Sequence, residues 1–409
     1  MKCRNCKSLE LESVIDLGTA PASNAYLQKE HLNMTEGHTP LEIVICQRCK
    51  LVQTKDFFQS DELFTPDYAY LSSTSESWLK HCEDFCASIS KDLDLSEHSL
   101  ICEVASNDGY LLKNFVAKGF KCFGIEPTSA AAEIAVSKGV DTIVKFLGRK
   151  TAAEIVRSRG KCDLIIGNNV YAHVPDIRDF TDGLAVLLAD TGTISLEFPH
   201  ILSLLTHYQF DTIYHEHFSY HSLFTCQDIF RRSNLEIYHA EKIDTHGGSL
   251  RLFVQHSSGP NQKTKDFEDV LRGELEAGLH TTATYMELRN HATRIRNELR
   301  AIICQIKADG DNIVAYGAAA KGNTLLNFCG LTNLDIDCVY DKSILKIDKY
   351  LPGSRIPILD AKTITSSTAS HILILPWNIE TEIIQQFERL GITGKKIITA
   401  IPKVVIKEI

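Results

Sequence analysis

Short apolar runs that end in small polar turns and give way to helical periodicity occur in two series along this chain. No other feature restricts the fold as much. The first series has strand candidates at Leu100–Val104, Lys121–Glu126, Asp163–Gly167 and Gly192–Glu197, alternating with helix-like segments such as Tyr110–Lys118 and Ala130–Ser137. A breaker at Ser257 to Gly259-Pro260 closes it. Residues 265–308 then carry a helical stripe of Phe267, Leu271, Leu275, Leu279, Leu288, Ile295, Leu299 and Ile302. The second series starts at Asn312–Gly317 and continues with Ile336–Asp341, His371–Leu375 and Lys396–Ile401. Short apolar strands alternating with helices imply parallel sheets assembled from βαβ units, with both faces covered. The chain therefore reads as an α/β protein in three parts: a cysteine-rich module over residues 1–65, an α/β domain over 66–260, and a helical connector with a second α/β domain over 261–409. Its 409 residues exceed what one core usually serves. No sequence repeat links the two series, although they could share an architecture.

Cys3-x-x-Cys6 and Cys46-x-x-Cys49 form two knuckles. Zinc prefers four tetrahedral thiolates, and two such turns supply two each. The gap between the knuckles is longer than in a ββα finger, so a β-rich ribbon is expected. Four cysteines leave no coordination position open, which makes the metal structural. The thirteen cysteines are otherwise read as buried thiols in a reducing compartment. A formal net charge of −9 disfavours nucleic acid and anionic membrane as partners. No apolar run reaches the ~18 residues that span a bilayer, and Met1–Cys6 lacks the apolar stretch of a signal peptide. A cytoplasmic location is expected. A monomer and a dimer both fit.

Residues Leu100–Leu112 combine a strand, a small-residue turn and a helix start, Val104-Ala105-Ser106-Asn107-Asp108-Gly109. Such a turn lets a ligand approach the backbone amides. The Gly-x-Gly-x-x-Gly fingerprint is missing, which argues against a dinucleotide. Glu126 ends the next strand, where a carboxylate can accept ribose hydroxyls. Gly167-Asn168-Asn169-Val170-Tyr171-Ala172-His173 follows a third strand. In this order the pieces resemble a class I, Rossmann-like methyltransferase domain. That resemblance implies S-adenosylmethionine as cofactor, with Asp108 and Gly109 at its methionine end, Glu126 on the ribose, Asn168 and Asn169 flanking it, and Ser106, Asn107 and His173 completing the pocket.

Tyr214-His215-Glu216-His217 packs four functional side chains into four positions. It is not the His-Glu-x-x-His of zinc proteases. A proton-transfer centre, a satisfied structural cluster and a metal site all use these residue types. The first suits the group best, because an imidazole titrates near neutrality and a neighbouring carboxylate or phenol can tune it. With Asp67–Ser73, His246-Gly247-Gly248-Ser249-Leu250-Arg251, Tyr316–Leu326 and Leu351-Pro352-Gly353, this motif makes the whole chain resemble the family of C-methyltransferases that act on nucleotide-linked 4-keto-deoxy sugars. The resemblance implies His217 as the base, assisted by Glu216, Tyr214 and Tyr70. It implies sugar contacts from Tyr68, His215, Tyr220 and His246. Two departures stand out. Ala105 occupies a position where many methyltransferases have glycine, and Leu71 one where an aromatic is common, which bears on sugar choice.

Tyr316-Gly317-Ala318-Ala319-Ala320-Lys321-Gly322-Asn323-Thr324 opens the second α/β series and lacks the P-loop pattern. Small residues there serve either tight strand–helix packing or a phosphate. The family resemblance favours the substrate diphosphate, met by Lys321 and Asn323 in a second Rossmann-like domain. The expected reaction is deprotonation beside a ketone followed by C-methylation. The rivals are an O- or N-methyltransferase on a sugar or small metabolite, an NAD-dependent nucleotide-sugar oxidoreductase or epimerase, and a binding scaffold without activity. The intact Tyr214–His217 cluster argues against the last.

Overall fold

A computed structural model describes residues 1–55, 60–63 and 71–409. Two compact units emerge. One holds Met1–Glu12, Ile45–Leu202 and Phe218–Thr282, and the other holds Ser13–Val44, Ser203–His217 and Ala283–Ile409. The cysteine knuckles thus fold with the first unit, whereas residues 13–44 fold with the second. The helical stripe resolves into Lys265–Glu276 and Ala283–Ala308, one helix in each unit.

The first unit is built on a seven-stranded sheet. Its order is Leu235–Ile243, Ser249–His256, Leu188–Pro199, Cys162–Asn168, Leu100–Val104, Lys121–Ile125 and Thr142–Ile143. Only Ser249–His256 runs against its neighbours. The central strands are largely apolar because helices cover both faces, although Glu103 is buried within Leu100–Val104. Ile101, Leu164 and Phe115 fill one side, and Cys102, Ile165 and Leu184 the other, all at 0% exposure. Each such aliphatic or aromatic side chain contributes about 1.5–3 kcal/mol by leaving water. The sequence reading did not include the hairpin of the two outer strands. Its second strand buries Leu250, Leu252 and Val254 on one face, with Arg251 and Gln255 buried on the other.

The second unit carries a six-stranded sheet ordered Ile358–Asp360, Val339–Asp341, Ile313–Tyr316, His371–Ile374, Lys396–Thr399 and Val405–Glu408. The first five strands are parallel and the last is antiparallel. Phe387 packs edge-on against Tyr316 at 5.0 Å in a core that includes Ile372 and Ile397. In both sheets the strand order reverses beside the first strand of the series, and ligands of open α/β sheets bind at such points. Among the described residues, no helix is long and apolar enough to cross a membrane.

Candidate active site and metal centre

The turn after Leu100–Val104 is held in unusual backbone geometry. Ala105, Asn107 and Gly109 have φ of 56°, 47° and 75°. Gly109 cannot be replaced easily, since a Cβ there would lie 3.0 Å from Val140 Cγ2 and 3.2 Å from Ala135 Cβ. The backbone N–H groups of Asn107 and Thr128 each donate to Glu126 at 2.9 Å, and the Thr128 hydroxyl donates at 2.5 Å. Burial pushes the Glu126 carboxyl upward, against those hydrogen bonds. Asp108 pairs with Lys138 Nζ at 2.8 Å and accepts from the Ser73 hydroxyl. Around this turn, buried polar atoms without hydrogen-bond partners collect: Ser106 Oγ, Asp108 Oδ1, both side-chain atoms of Asn168, and Asn169 Oδ1. Leaving such groups unmatched costs about 1–3 kcal/mol each. A ligand with an amino-acid head and a ribose diol supplies the missing partners, so the corner fits S-adenosylmethionine. His173 follows in the short turn Tyr171–His173, half-buried.

The same unit contains a network that sequence reasoning missed. Glu197 is fully buried and accepts from His81 Nε2 at 2.9 Å, Arg251 at 2.8 Å and Thr245 Oγ1 at 2.7 Å. Burial alone would raise its pKa, yet the His81 hydrogen bond and the Arg251 charge outweigh it and bring it to about 2. The network pins the loop that carries His246, whose ring stands edge-on to Trp78 at 4.9 Å. Of its members only Arg251 belongs to a local sequence motif, His246–Arg251. Tyr220 lies on the short strand Ser219–Tyr220, opposite Val52.

In the second unit, Tyr214–His217 is a tight turn closed by His217 N–H donating to the Tyr214 carbonyl at 2.9 Å. That closure brings the first and fourth side chains together. His217 Nδ1 lies 2.9 Å from the Thr212 carbonyl, which can only accept, so Nδ1 carries the proton of the neutral ring. Nε2 is then the basic nitrogen, and the Tyr214 hydroxyl donates to it at 2.7 Å. Glu216 is buried, which raises its pKa, and accepts from Asn24 Nδ2 at 3.1 Å. His215 Nε2 lies 3.3 Å from the Thr39 carbonyl, and burial lowers its pKa. The turn therefore separates the two histidines, with only His217 joined to the phenol. Tyr68 and Tyr70 lie outside the described residues.

The Gly317 turn belongs to the same unit. Ala318 N–H donates to Asp341 Oδ2 at 2.7 Å. The Ala318 carbonyl accepts from the Tyr26 hydroxyl at 2.7 Å and from Lys346 Nζ at 2.8 Å. Lys321 Nζ donates to Asn378 Oδ1 at 2.7 Å and sits over the Trp377 ring at 4.8 Å, with burial lowering its pKa. Asn323 Nδ2 donates to the Ser23 carbonyl at 2.5 Å, and its Oδ1 has no hydrogen-bond partner.

The ligand atoms of Cys3, Cys6, Cys46 and Cys49 all lie within 4.8 Å of one another. The Cys3–Cys49 and Cys6–Cys46 sulfurs are 3.5 Å apart. Tetrahedral zinc with bonds of about 2.3 Å holds its sulfurs about 3.8 Å apart, so the set fits. The two knuckles are copies of one turn. Lys7 and Lys50 both have φ of 61°, and their N–H groups return to the Cys3 and Cys46 carbonyls at 3.0 and 2.9 Å. Arg4 anchors the first knuckle through the carbonyls of Phe218, Pro175 and Thr54.

Known proteins match this chain along its length. A zinc binding domain matches residues 3–64, a methyltransferase domain residues 78–240, and a C-methyltransferase C-terminal domain residues 244–402. The C-methyltransferase NovU of Streptomyces niveus is 32% identical over 402 residues, 98% of this chain and 96% of that protein. Among solved structures, an S-adenosylmethionine-dependent methyltransferase from Anabaena variabilis ATCC 29413 shares 15% identity at a TM-score of 0.39, covering 49% of this chain and 96% of that one. The magnesium protoporphyrin IX methyltransferase of Synechocystis PCC 6803 with bound S-adenosylmethionine shares 16% at a TM-score of 0.33, covering 43% and 78%.

Proposed function

Because the chain belongs to the C-methyltransferase family, we propose that this S-adenosylmethionine-dependent enzyme methylates a carbon beside the ketone of a nucleotide-linked 4-keto-deoxy sugar, with His217 as the base. The observation that carries the proposal is the His217 tautomer, with Nδ1–H held by the Thr212 carbonyl and basic Nε2 joined to the Tyr214 phenol. A carbon becomes nucleophilic when a C–H beside a carbonyl is removed. His217 Nε2 takes that proton once the Tyr214 hydroxyl turns aside. The C–H electron pair becomes the enolate double bond, and the carbonyl π pair moves to oxygen. The turned hydroxyl of Tyr214, with Tyr70, can then donate to the oxygen that gains charge. S-adenosylmethionine, held by the Asp108-Gly109 turn and Glu126, would supply the electrophilic methyl group for the enolate carbon and leave as S-adenosylhomocysteine. The imidazolium proton is later lost to solvent.

In this reading Ser106, Asn107, Asp108, Gly109, Glu126, Asn168, Asn169 and His173 hold the cofactor. Tyr68, His215, Tyr220, His246, Lys321 and Asn323 hold the sugar nucleotide. Zinc on Cys3, Cys6, Cys46 and Cys49 keeps the knuckles folded and takes no chemical part. The nine cysteines outside the zinc set are free thiols, which suits a reducing cytoplasm.

Proton removal can be observed without methyl transfer. With S-adenosylhomocysteine bound in heavy water, deuterium should enter the sugar carbon beside the ketone faster than in an enzyme-free control, across a panel of nucleotide-linked 4-keto sugars. His217→Asn should slow this roughly 10²–10⁴-fold, the range for a positioned general base. A normal rate in His217→Asn with a collapse in His215→Asn would assign the base to the other histidine.

A further inference from the structure

We infer that Asn24 is a positioning residue for Glu216, and that the segment Ser23–Tyr26 ties the His217 turn to the Gly317 turn. Three contacts support it, all inside the second unit. Asn24 Nδ2 donates to Glu216 Oε1 at 3.1 Å. The Ser23 carbonyl accepts from Asn323 Nδ2 at 2.5 Å, and the Tyr26 hydroxyl donates to the Ala318 carbonyl at 2.7 Å. Four residues of chain thus touch Glu216 beside His217, the Gly317 turn at Ala318, and the first turn of the Ala320–Cys329 helix at Asn323.

The chemistry gives Asn24 a specific task. Glu216 is 1% exposed, and its Oε2 has no hydrogen-bond partner. A buried carboxylate needs donors to keep its charge and its rotamer. Asn24 donates its carboxamide to it, beside the backbone N–H groups of Asn24 and Glu216. Its carboxamide fixes Oε1, which sets the direction of Oε2. Replacing the Asn24 side chain leaves the carboxylate to the backbone N–H groups of Glu216 and Asn24, and so loosens its rotamer while leaving His217 and its bonds to Thr212 and Tyr214 in place.

The inference rests on the reading of His217 as the base, and the experiment separates the two. Asn24→Ala, Glu216→Ala and the double variant are compared in full-length, zinc-loaded enzyme, using the deuterium exchange assay and steady-state turnover. Asn24→Ala should lower kcat roughly tenfold, the scale of one hydrogen bond to a charged group. KM and cofactor affinity should change by less than about twofold. In the Glu216→Ala background the further loss from Asn24→Ala should shrink to less than about twofold, because a residue that acts through Glu216 has nothing left to position. A full multiplicative loss in the double variant, or wild-type kcat in Asn24→Ala, overturns the inference. If His217→Asn and Glu216→Ala both retain wild-type rates, the reading of the base fails instead. A crystal structure of Asn24→Ala decides the point without turnover: a Glu216 carboxylate in its original rotamer overturns the inference, and a rotated or doubly oriented one supports it. Asn24→Ser, which keeps a shorter donor, should recover part of the rate if Asn24→Ala melts early.

Discussion

Two corners of this chain, one in each unit, follow the same backbone plan and differ in what their polar atoms do. Ala105 and Gly317 each follow the first strand of a series at positive φ, 56° and 85°. Each N–H returns at 2.7 Å to the carbonyl just before an acid, Ile125 before Glu126 and Tyr340 before Asp341. Each acid then accepts an amide from its turn, Asn107 at 2.9 Å or Ala318 at 2.7 Å, and the amide two residues beyond itself, Thr128 or Ser343. The difference lies in the surroundings. The first corner leaves Ser106 Oγ, Asp108 Oδ1 and the Asn168 side chain buried without partners. In the second, Tyr26, Lys346, Asn378 and Ser23 engage the Ala318 carbonyl, Lys321 and Asn323, and only Asn323 Oδ1 is left buried without a partner among the described atoms of the turn. One plan can therefore leave most of its polar atoms open or brace most of them, and side chains distant in sequence decide which.

The largest expected difference between the units is the metal. Only the first contains the four-cysteine cluster. Structural zinc is worth on the order of 10 kcal/mol to small domains. Chelation, or Cys46→Ser, should therefore lower the melting of the first unit far more than that of the second. Hydrogen exchange resolved by segment checks this, and equal loss of protection in both would break the contrast.

Acid stability gives the next contrast, with opposite signs. In the first unit Glu197 is held at about 2, so its contribution is present above the unfolded value of 4.5 and is lost as pH falls through 2. In the second unit burial raises Asp211 from 3.8 to about 6, against Lys321 and a 2.6 Å hydrogen bond from Trp377 Nε1. Its contribution is present below 3.8 and is lost as pH rises toward 6, a change of about 3 kcal/mol. Asp211→Asn keeps the acceptor for Trp377 and should remove that dependence. Denaturant titrations between pH 3 and 7 read it directly, and an unchanged slope would show that Asp211 ionises normally.

Much of this was legible in the sequence, for a physical reason. Central strands must be apolar on both faces, so Leu100–Val104 and Ile313–Tyr316 announce themselves, and Cys-x-x-Cys pairs and Tyr214–His217 are dense local patterns. Asn24, Tyr26 and His81 were missed because each acts through a partner far along the chain, Glu216, Ala318 and Glu197. Nothing within a few residues of Asn24 marks it as different from any loop asparagine. The placement of residues 13–44 with the second unit is likewise a long-range outcome that no local period encodes.

The acids of the two corners test the division of labour at smaller scale. Glu126→Ala should weaken S-adenosylmethionine binding by about 1–3 kcal/mol, the cost of charge-assisted hydrogen bonds left unmade. Asp341→Ala should leave that affinity unchanged, because its partners are Ala318, Ser343 and Lys346. Calorimetry with the cofactor alone separates them, and equal losses would mean that the first corner is not the cofactor pocket.

The smallest effect concerns Ala105 itself. Its φ of 56° places a Cβ in the left-handed region that glycine occupies freely, and the matching position in the second unit is Gly317. An alanine there carries a penalty of roughly 1–2 kcal/mol. Replacing it with glycine relieves that strain but also loosens the unfolded chain, which costs about 0.4–1 kcal/mol. The two terms oppose each other, so Ala105→Gly should stabilise the first unit by between about 0 and 1.6 kcal/mol. The reverse exchange is not symmetrical. Gly317→Ala would set a Cβ 2.5 Å from Pro376 Cδ, which adds a steric clash to the same backbone strain. If Ala105→Gly instead destabilises the unit, the Ala105 methyl must be packing against something the backbone argument ignores. The likeness of the two corners would then end at their hydrogen bonds.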